Sequence, residues 1–157
     1  MKVNLLCIGK TTKSFLTQGE EEYLKRLQRY VKFEKIELPD VKVAKNTNES
    51  VIKQKEAELF MQKIDPSDYV VLLDEKGKTY SSVAFANYLQ QLFNRGGHKL
   101  VFLVGGPYGF DEEIYSRANA KLSLSEMTFS HQMIRMLFLE QFYRGMTILK
   151  GEPYHHV

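Results

Sequence analysis

Three short stretches of this chain are apolar without alternation, and that leaves few folds open. VNLLCIG (residues 3–9), DYVVLLD (68–74) and LVFLV (100–104) each read as a strand, being short, rich in aliphatic side chains and bounded by turn residues. A strand with no polar face needs cover on both sides, which is the condition of a parallel sheet between two helical layers. FEKIELP (33–39) alternates apolar and charged residues and is predicted as a wetter strand near an edge. A fifth, short strand covers residues 121–125. Helical patterns fall between and after them: 14–31, a helix from Asn48 or Ser50 to about Lys63, one capped by Ser81-Ser82 and running to Asn94, a short one capped by Asp111, and 130–149. Strand and helix alternate five times. This predicts an α/β fold, a mostly parallel sheet with helices on both faces, with residues 1–157 forming one domain.

Composition narrows the class further. Hydrophobic residues make up 43% and charged residues 26% of 157, the balance of an ordinary globular chain long enough to bury a core. The formal net charge of +3 is compatible with a nucleic-acid partner without requiring one. No apolar run approaches the roughly 20 residues of a membrane span. The apolar run at 3–8 is too short for a signal peptide and has no small-residue cleavage site after it, so a cytoplasmic protein with no membrane partner is expected. The lone cysteine, Cys7, sits inside the first apolar run and reads as a core side chain.

The ligand-binding signal lies in the last third. The strand at 100–104 stops at Gly105-Gly106-Pro107-Tyr108-Gly109, where three glycines and a proline end the strand and let backbone N–H groups approach a ligand. The strand at 121–125 ends in the polar turn SEMT. Ligands of open α/β sheets gather at such carboxyl ends, so the active site is expected there. Gly9-Lys10-Thr11 resembles the end of a phosphate-binding loop, but Asn4 stands where that motif needs its first glycine. The glycine is assigned to a strand-to-helix turn, and the lysine-containing loop at 40–48 is expected to be mobile.

Several charged and aromatic residues admit two readings. Glu20, Glu21 and Glu22 precede Lys25, Arg26, Arg29 and Lys32, either complementing the helix dipole, with Glu21–Lys25 and Glu22–Arg26 pairs, or building a basic ridge for RNA phosphate. The last helix is apolar almost all round, so it needs cover beyond the sheet, which a second protomer would supply. Glu140 and Arg144 are four residues apart on that helix, as a buried structural pair or with Arg144 free for substrate. The tail GEPYHHV is either a frayed end or a recognition surface with a stacking aromatic, Tyr154, and two imidazoles, His155 and His156. Adjacent histidines without an acidic or cysteine partner make a poor metal site, and no metal is expected.

Five motifs then stand in one order: LD…GK…S (Leu73, Asp74, Gly77, Lys78, Ser81 or Ser82), VGGPYG (104–109), LSLSEMTFSHQMIR (122–135), EQFYR (140–144) and PYH (153–155). With them the chain resembles, over its whole length, the ribosomal RNA large subunit methyltransferase H family of SPOUT-class enzymes. No motif is decisive alone, and five in register are highly specific. The resemblance implies a C-terminal trefoil knot and S-adenosylmethionine as methyl donor, held by Leu73, Gly105, Leu124, Ser125, Glu126, Met127, Thr128 and Phe129. It implies a homodimer that methylates N3 of a pseudouridine in 23S rRNA within the assembled ribosome. The N3 proton must be removed by a base or by bulk water, and His155 would assist or position that base; Tyr154 would offer a stacking surface, and Arg144 would hold RNA phosphate or a uracil carbonyl. His131 is assigned mainly to structure, with a smaller share in the cleft. One departure from the family is visible: a basic residue usually follows PYH, whereas His156 and Val157 do here. The rival readings are a SPOUT enzyme acting on another RNA such as tRNA, and a non-catalytic nucleotide- or RNA-binding α/β module.

Overall fold

The structure is a computed structural model, and it describes residues 1–156. Its elements are β1 Lys2–Ile8, α1 Ser14–Leu27, β2 Lys32–Leu38, α2 Glu49–Met61, β3 Tyr69–Thr79, α3 Ser82–Arg95, β4 Lys99–Val104, α4 Glu112–Arg117, β5 Ala120–Ser123 and α5 Met133–Leu149. The five strands form one sheet in the order β2-β1-β4-β3-β5, and every pairing is parallel. β2, the strand with alternating charges, is at the edge. Residues two apart in a strand share a face, so Val3, Leu5 and Cys7 of β1 enter one core while Leu6 and Ile8 enter the other. The first core receives Leu27 of α1, Phe85 and Leu89 of α3, and Phe138 and Phe142 of α5. The second receives Ala57 and Phe60 of α2 and Ile114 of α4. Helices therefore cover both faces, as the unbroken apolar strands require.

Caps fix most helix starts. Asn48 accepts the Ser50 N–H at 2.8 Å, Ser81 the Ala84 N–H at 3.1 Å and Asp111 the Glu113 N–H at 3.1 Å. α5 begins one turn later than residue 130, although Ser130 Oγ does accept the Met133 N–H at 3.1 Å. α1 ends at Leu27, short of residue 31. Glu22 pairs with Arg26 at 2.7 Å, while Glu20 is buried against Lys35 instead of decorating a solvated face.

β3 is where the structure departs most from the sequence reading. The strand expected to stop at Asp74 instead continues through EKGKT to Thr79. Leu73 and Lys78 both pair with Leu122 of β5, so β3 bulges between them and then rejoins the same neighbour. The close pass requires glycine at 77: a Cβ there would stand 2.7 Å from the backbone N and C of Leu122. Tertiary pairing overrides the turn propensity of this stretch.

A buried arginine ties the two ends of the chain together. Arg135 is fully buried and donates to Ile8 O at 2.7 Å, Gly9 O at 2.8 Å, Thr11 Oγ1 at 3.1 Å and His131 O at 3.0 Å. Gln132 adds two bonds of 3.0 Å to the same loop, accepting the Thr12 N–H and donating to Lys10 O. The start of α5 is thereby set against the carboxyl end of β1.

Candidate active site

A cleft of about 390 Å³ opens at the carboxyl ends of β3, β4 and β5, within the range of small-molecule sites. From β3 the chain leaves over one face to β4, and from β4 it returns over the other to β5, so a crevice forms where the direction of winding reverses. Val104, Leu122, Leu124 and Ile134 give the cleft apolar walls, while Asp74 and Glu75 bring carboxylates to it.

The turn after β5 is braced by its own hydroxyls. Ser123 Oγ donates to Ser125 O at 2.8 Å, Ser125 Oγ accepts the Met127 N–H at 3.0 Å, and Thr128 Oγ1 donates to Glu75 Oε2 at 2.8 Å. That last bond joins the bulge of β3 to the loop after β5. Asp74 Oδ1 accepts the Lys76 N–H at 2.8 Å, and its other oxygen takes a bond from the Tyr115 hydroxyl. Burial, reinforced by Asp74, pushes the Tyr115 phenol above its usual range, so the hydroxyl remains a donor. Burial, with Arg135 next, lowers the pKa of His131, which also faces the cleft.

Of the eight expected cofactor contacts, the structure gathers Leu73, Gly105, Leu124, Ser125, Met127, Thr128 and Phe129 around this one cleft. Glu126 is exposed and outside the lining. Asp74, Glu75 and Tyr115 belong to the cleft but were not singled out as contacts in the sequence. Asp74 carried a usable signal as the polar residue ending a buried strand. Tyr115, on a six-residue helix, carried none.

The expected catalytic residues, Arg144, Tyr154 and His155, form a second cluster around Glu140. Glu140 Oε1 accepts from Arg144 Nη2 at 2.7 Å, from Arg144 Nε at 3.1 Å and from the Tyr154 hydroxyl at 3.0 Å. The guanidinium lies over the Tyr154 ring, 4.8 Å from its centroid, and Nη1 is 3.1 Å from His155 Nδ1. Tyr154 also meets Tyr143 edge-on at 4.8 Å, and the Tyr30 hydroxyl donates to Glu152 at 2.6 Å. The tail is docked on α1 and α5 rather than frayed, and the Glu140–Arg144 pair forms while Arg144 stays partly accessible. Glu140 first, through its hydrogen bond, raises the Arg144 pKa, so the guanidinium is a permanent cation. None of these residues lines the cleft. Arg144 is ten residues beyond Ile134 on one helix, which is about 15 Å at 1.5 Å per residue.

A family model described as "Predicted SPOUT methyltransferase" matches residues 1–155. This chain belongs to the SPOUT methyltransferase family. Its relatives include proteins named ribosomal RNA large subunit methyltransferase H. That of Christiangramia forsetii is 54% identical over 156 residues, covering 99% of both chains. That of Flavobacterium psychrophilum is 52% identical with the same coverage, and that of Cytophaga hutchinsonii is 47% identical, covering 99% of this chain and all of the other. A solved structure from work titled "Structural insights into the 2-OH methylation of C/U34 on tRNA" superposes with a TM-score of 0.50 at 10% identity, over 96% of this chain and 98% of that one. At that identity it speaks for the fold alone.

As a SPOUT enzyme the protein is a methyltransferase, and its methyl donor is S-adenosylmethionine. The cleft's chemistry fits that donor. Its apolar walls suit an adenine face, its strand-end peptide groups suit adenine edges, and Asp74 and Glu75 are the charge type that a cationic sulfonium or ammonium favours. Among the described residues, no helix is long and apolar enough to cross a membrane.

Proposed function

We propose that this protein methylates N3 of a pseudouridine in 23S ribosomal RNA, acting as a homodimer on the assembled ribosome in the cytoplasm. The observation that carries the reading is full-length identity of about half to relatives whose name specifies large-subunit ribosomal RNA, combined with a docked Arg144–Tyr154–His155 cluster that a mere ligand-binding module would not need. Bound in the cleft, S-adenosylmethionine would supply the methyl group from its sulfonium and leave as the neutral thioether S-adenosylhomocysteine, while the proton on N3 passes to a base or to bulk water. The chain's residues supply alignment, from which much of the rate of such a displacement comes.

The separation of the two clusters supports the dimer. About 15 Å of helix separates Arg144 from Ile134 in its own cleft, a gap that a partner's tail cluster would fill. Phe15 is 61% exposed, and Met133, Met136 and Leu137 on the first turns of α5 are only partly covered. These provide an apolar face for the partner. The cluster also indicates what each residue does. A guanidinium only donates, so a hydrogen bond at this contact makes His155 Nδ1 the acceptor and leaves Nε2 to carry the ring proton. In that state His155 donates towards a carbonyl of the target base and positions it, while Tyr154 and Arg144 offer ring and cation to base and phosphate.

The product nucleoside tests the reaction. Ribosomes from cells lacking the protein are incubated with it and labelled S-adenosylmethionine, and their RNA is digested to nucleosides. The label should co-migrate with 3-methylpseudouridine from 23S rRNA. Label in another nucleoside, or only in tRNA, would overturn the assignment.

A further inference from the structure

Behind the glycine loop stands a carboxylate that no step above uses. Glu56 lies on α2, in the second core beside Ala57 and Phe60, and is only 5% exposed. Among the described residues no lysine, arginine or histidine pairs with it. Instead its carboxylate abuts Gly106 in the loop after β4: a Cβ at 106 would stand 2.5 Å from Oε2 and 3.0 Å from Oε1. The Gly106 amide is the group that favours its ionised form, against burial and the nearby Asp40, which together raise its pKa. A buried charge without a counter-ion costs several kcal/mol in general, and a leucine here would serve the core better. A side chain at 106 would therefore displace the carboxylate behind it, a constraint on this glycine beyond the ligand approach expected from the sequence.

We propose that Glu56 is a positioning residue for cofactor binding: its carboxylate fixes the Gly106 peptide from behind, and so sets the Gly105–Gly106 edge of the cleft. The inference rests on the cleft being the S-adenosylmethionine site. Gly105 and Gly106 both line that cleft, as do the neighbouring Pro107 and Tyr108. Glu56 itself does not, so its effect must pass through the peptide it holds. A buried carboxylate packed against the Gly106 Cα limits how far that peptide can shift to follow a ligand, and pre-setting a loop lowers the ordering cost of binding.

The test compares wild type with Glu56→Ala and Glu56→Gln. Melting temperature, S-adenosylmethionine affinity by calorimetry, and steady-state methyl transfer are measured on the full-length protein. Glu56→Ala should weaken cofactor affinity and raise the cofactor KM about tenfold, with kcat at saturating cofactor within about twofold of wild type. Glu56→Gln keeps an acceptor oxygen in place and should restore most of the affinity. Unchanged affinity in Glu56→Ala would overturn the proposal. So would an equal loss in both variants, or a kcat loss that tracks melting temperature, since either would mark a purely structural role. Failure of wild type to bind S-adenosylmethionine would instead overturn the cleft assignment, and the Glu56 proposal with it.

Discussion

The Tyr154 hydroxyl donates to Glu140 Oε1 at 3.0 Å, and the same oxygen receives Arg144. One carboxylate on α5 therefore holds both the tail aromatic and the cation. Glu140→Ala releases both at once. Methyl transfer should fall about 10²-fold, the scale of losing a positioned donor, while S-adenosylmethionine affinity stays within about twofold because the cleft is elsewhere. Single-turnover rates beside calorimetry check this. A parallel loss of cofactor affinity would show that the clusters are coupled within one chain.

His155→Ala should also lower the rate about 10²-fold and leave cofactor affinity unchanged. Full activity would remove the imidazole from the reaction.

The dimer proposal predicts complementation between two inactive proteins. A variant with a blocked cleft, Gly105→Trp, is mixed with Arg144→Ala under conditions that exchange subunits. Random pairing makes half the dimers mixed, each with one intact composite site, so about a quarter of wild-type activity should return in a twofold-symmetric assembly. No recovery, with exchange verified, would mean that the Arg144 cluster serves its own chain's cleft or none.

Arg135→Met removes a guanidinium that satisfies Ile8 O and Gly9 O in the interior. It should destabilise the fold by about 3 kcal/mol or more in urea denaturation. Arg135→Lys should not rescue it, because one ammonium cannot reproduce the planar, multi-donor geometry. Less than about 1 kcal/mol lost would contradict the role given to this residue.

Cys7 gives a pH prediction with a definite sign. Burial pushes its thiol up from 9.0 to about 12. Between those values the unfolded thiol ionises and the folded one does not, so the unfolded state binds fewer protons and stability falls as pH rises. The Cys7 contribution is at most about 1.4 kcal/mol per pH unit. Cys7→Ala should therefore lose stability less steeply than wild type between pH 9 and 11 in urea titrations. Equal slopes would show that the thiol is not protected. In the native state at pH 8, Cys7 should also resist alkylation.

What the sequence disclosed and what it withheld follows from the range of the interactions. Apolar strand runs, caps at Asn48, Ser81 and Asp111, and the glycine loop are local signals, and all appear where they were expected. Residues 74–79 misled because EKGK has turn chemistry, and only pairing with β5, more than forty residues later, makes it strand. Arg135 reads as one more polar position on an apolar helix. Its partners at Ile8, Gly9 and Thr11 lie 124 to 127 residues away, and no helical periodicity announces them. Glu56 and Glu20 likewise look like ordinary surface glutamates, yet both are buried by elements distant in the chain. The site's positions were legible as motifs. That they divide into a cleft and a tail cluster on opposite ends of one helix was not.

Under the proposed function this methyltransferase reads ribosomal RNA in its assembled setting. The most direct measurement is methyl transfer from labelled S-adenosylmethionine to assembled ribosomes, separated large subunits and naked 23S rRNA, all from cells lacking the protein. The account predicts label at a single pseudouridine of 23S rRNA, strongest by far on assembled ribosomes. Equal label on naked 23S rRNA, or no label on any ribosomal substrate by an enzyme that binds its cofactor, would contradict it.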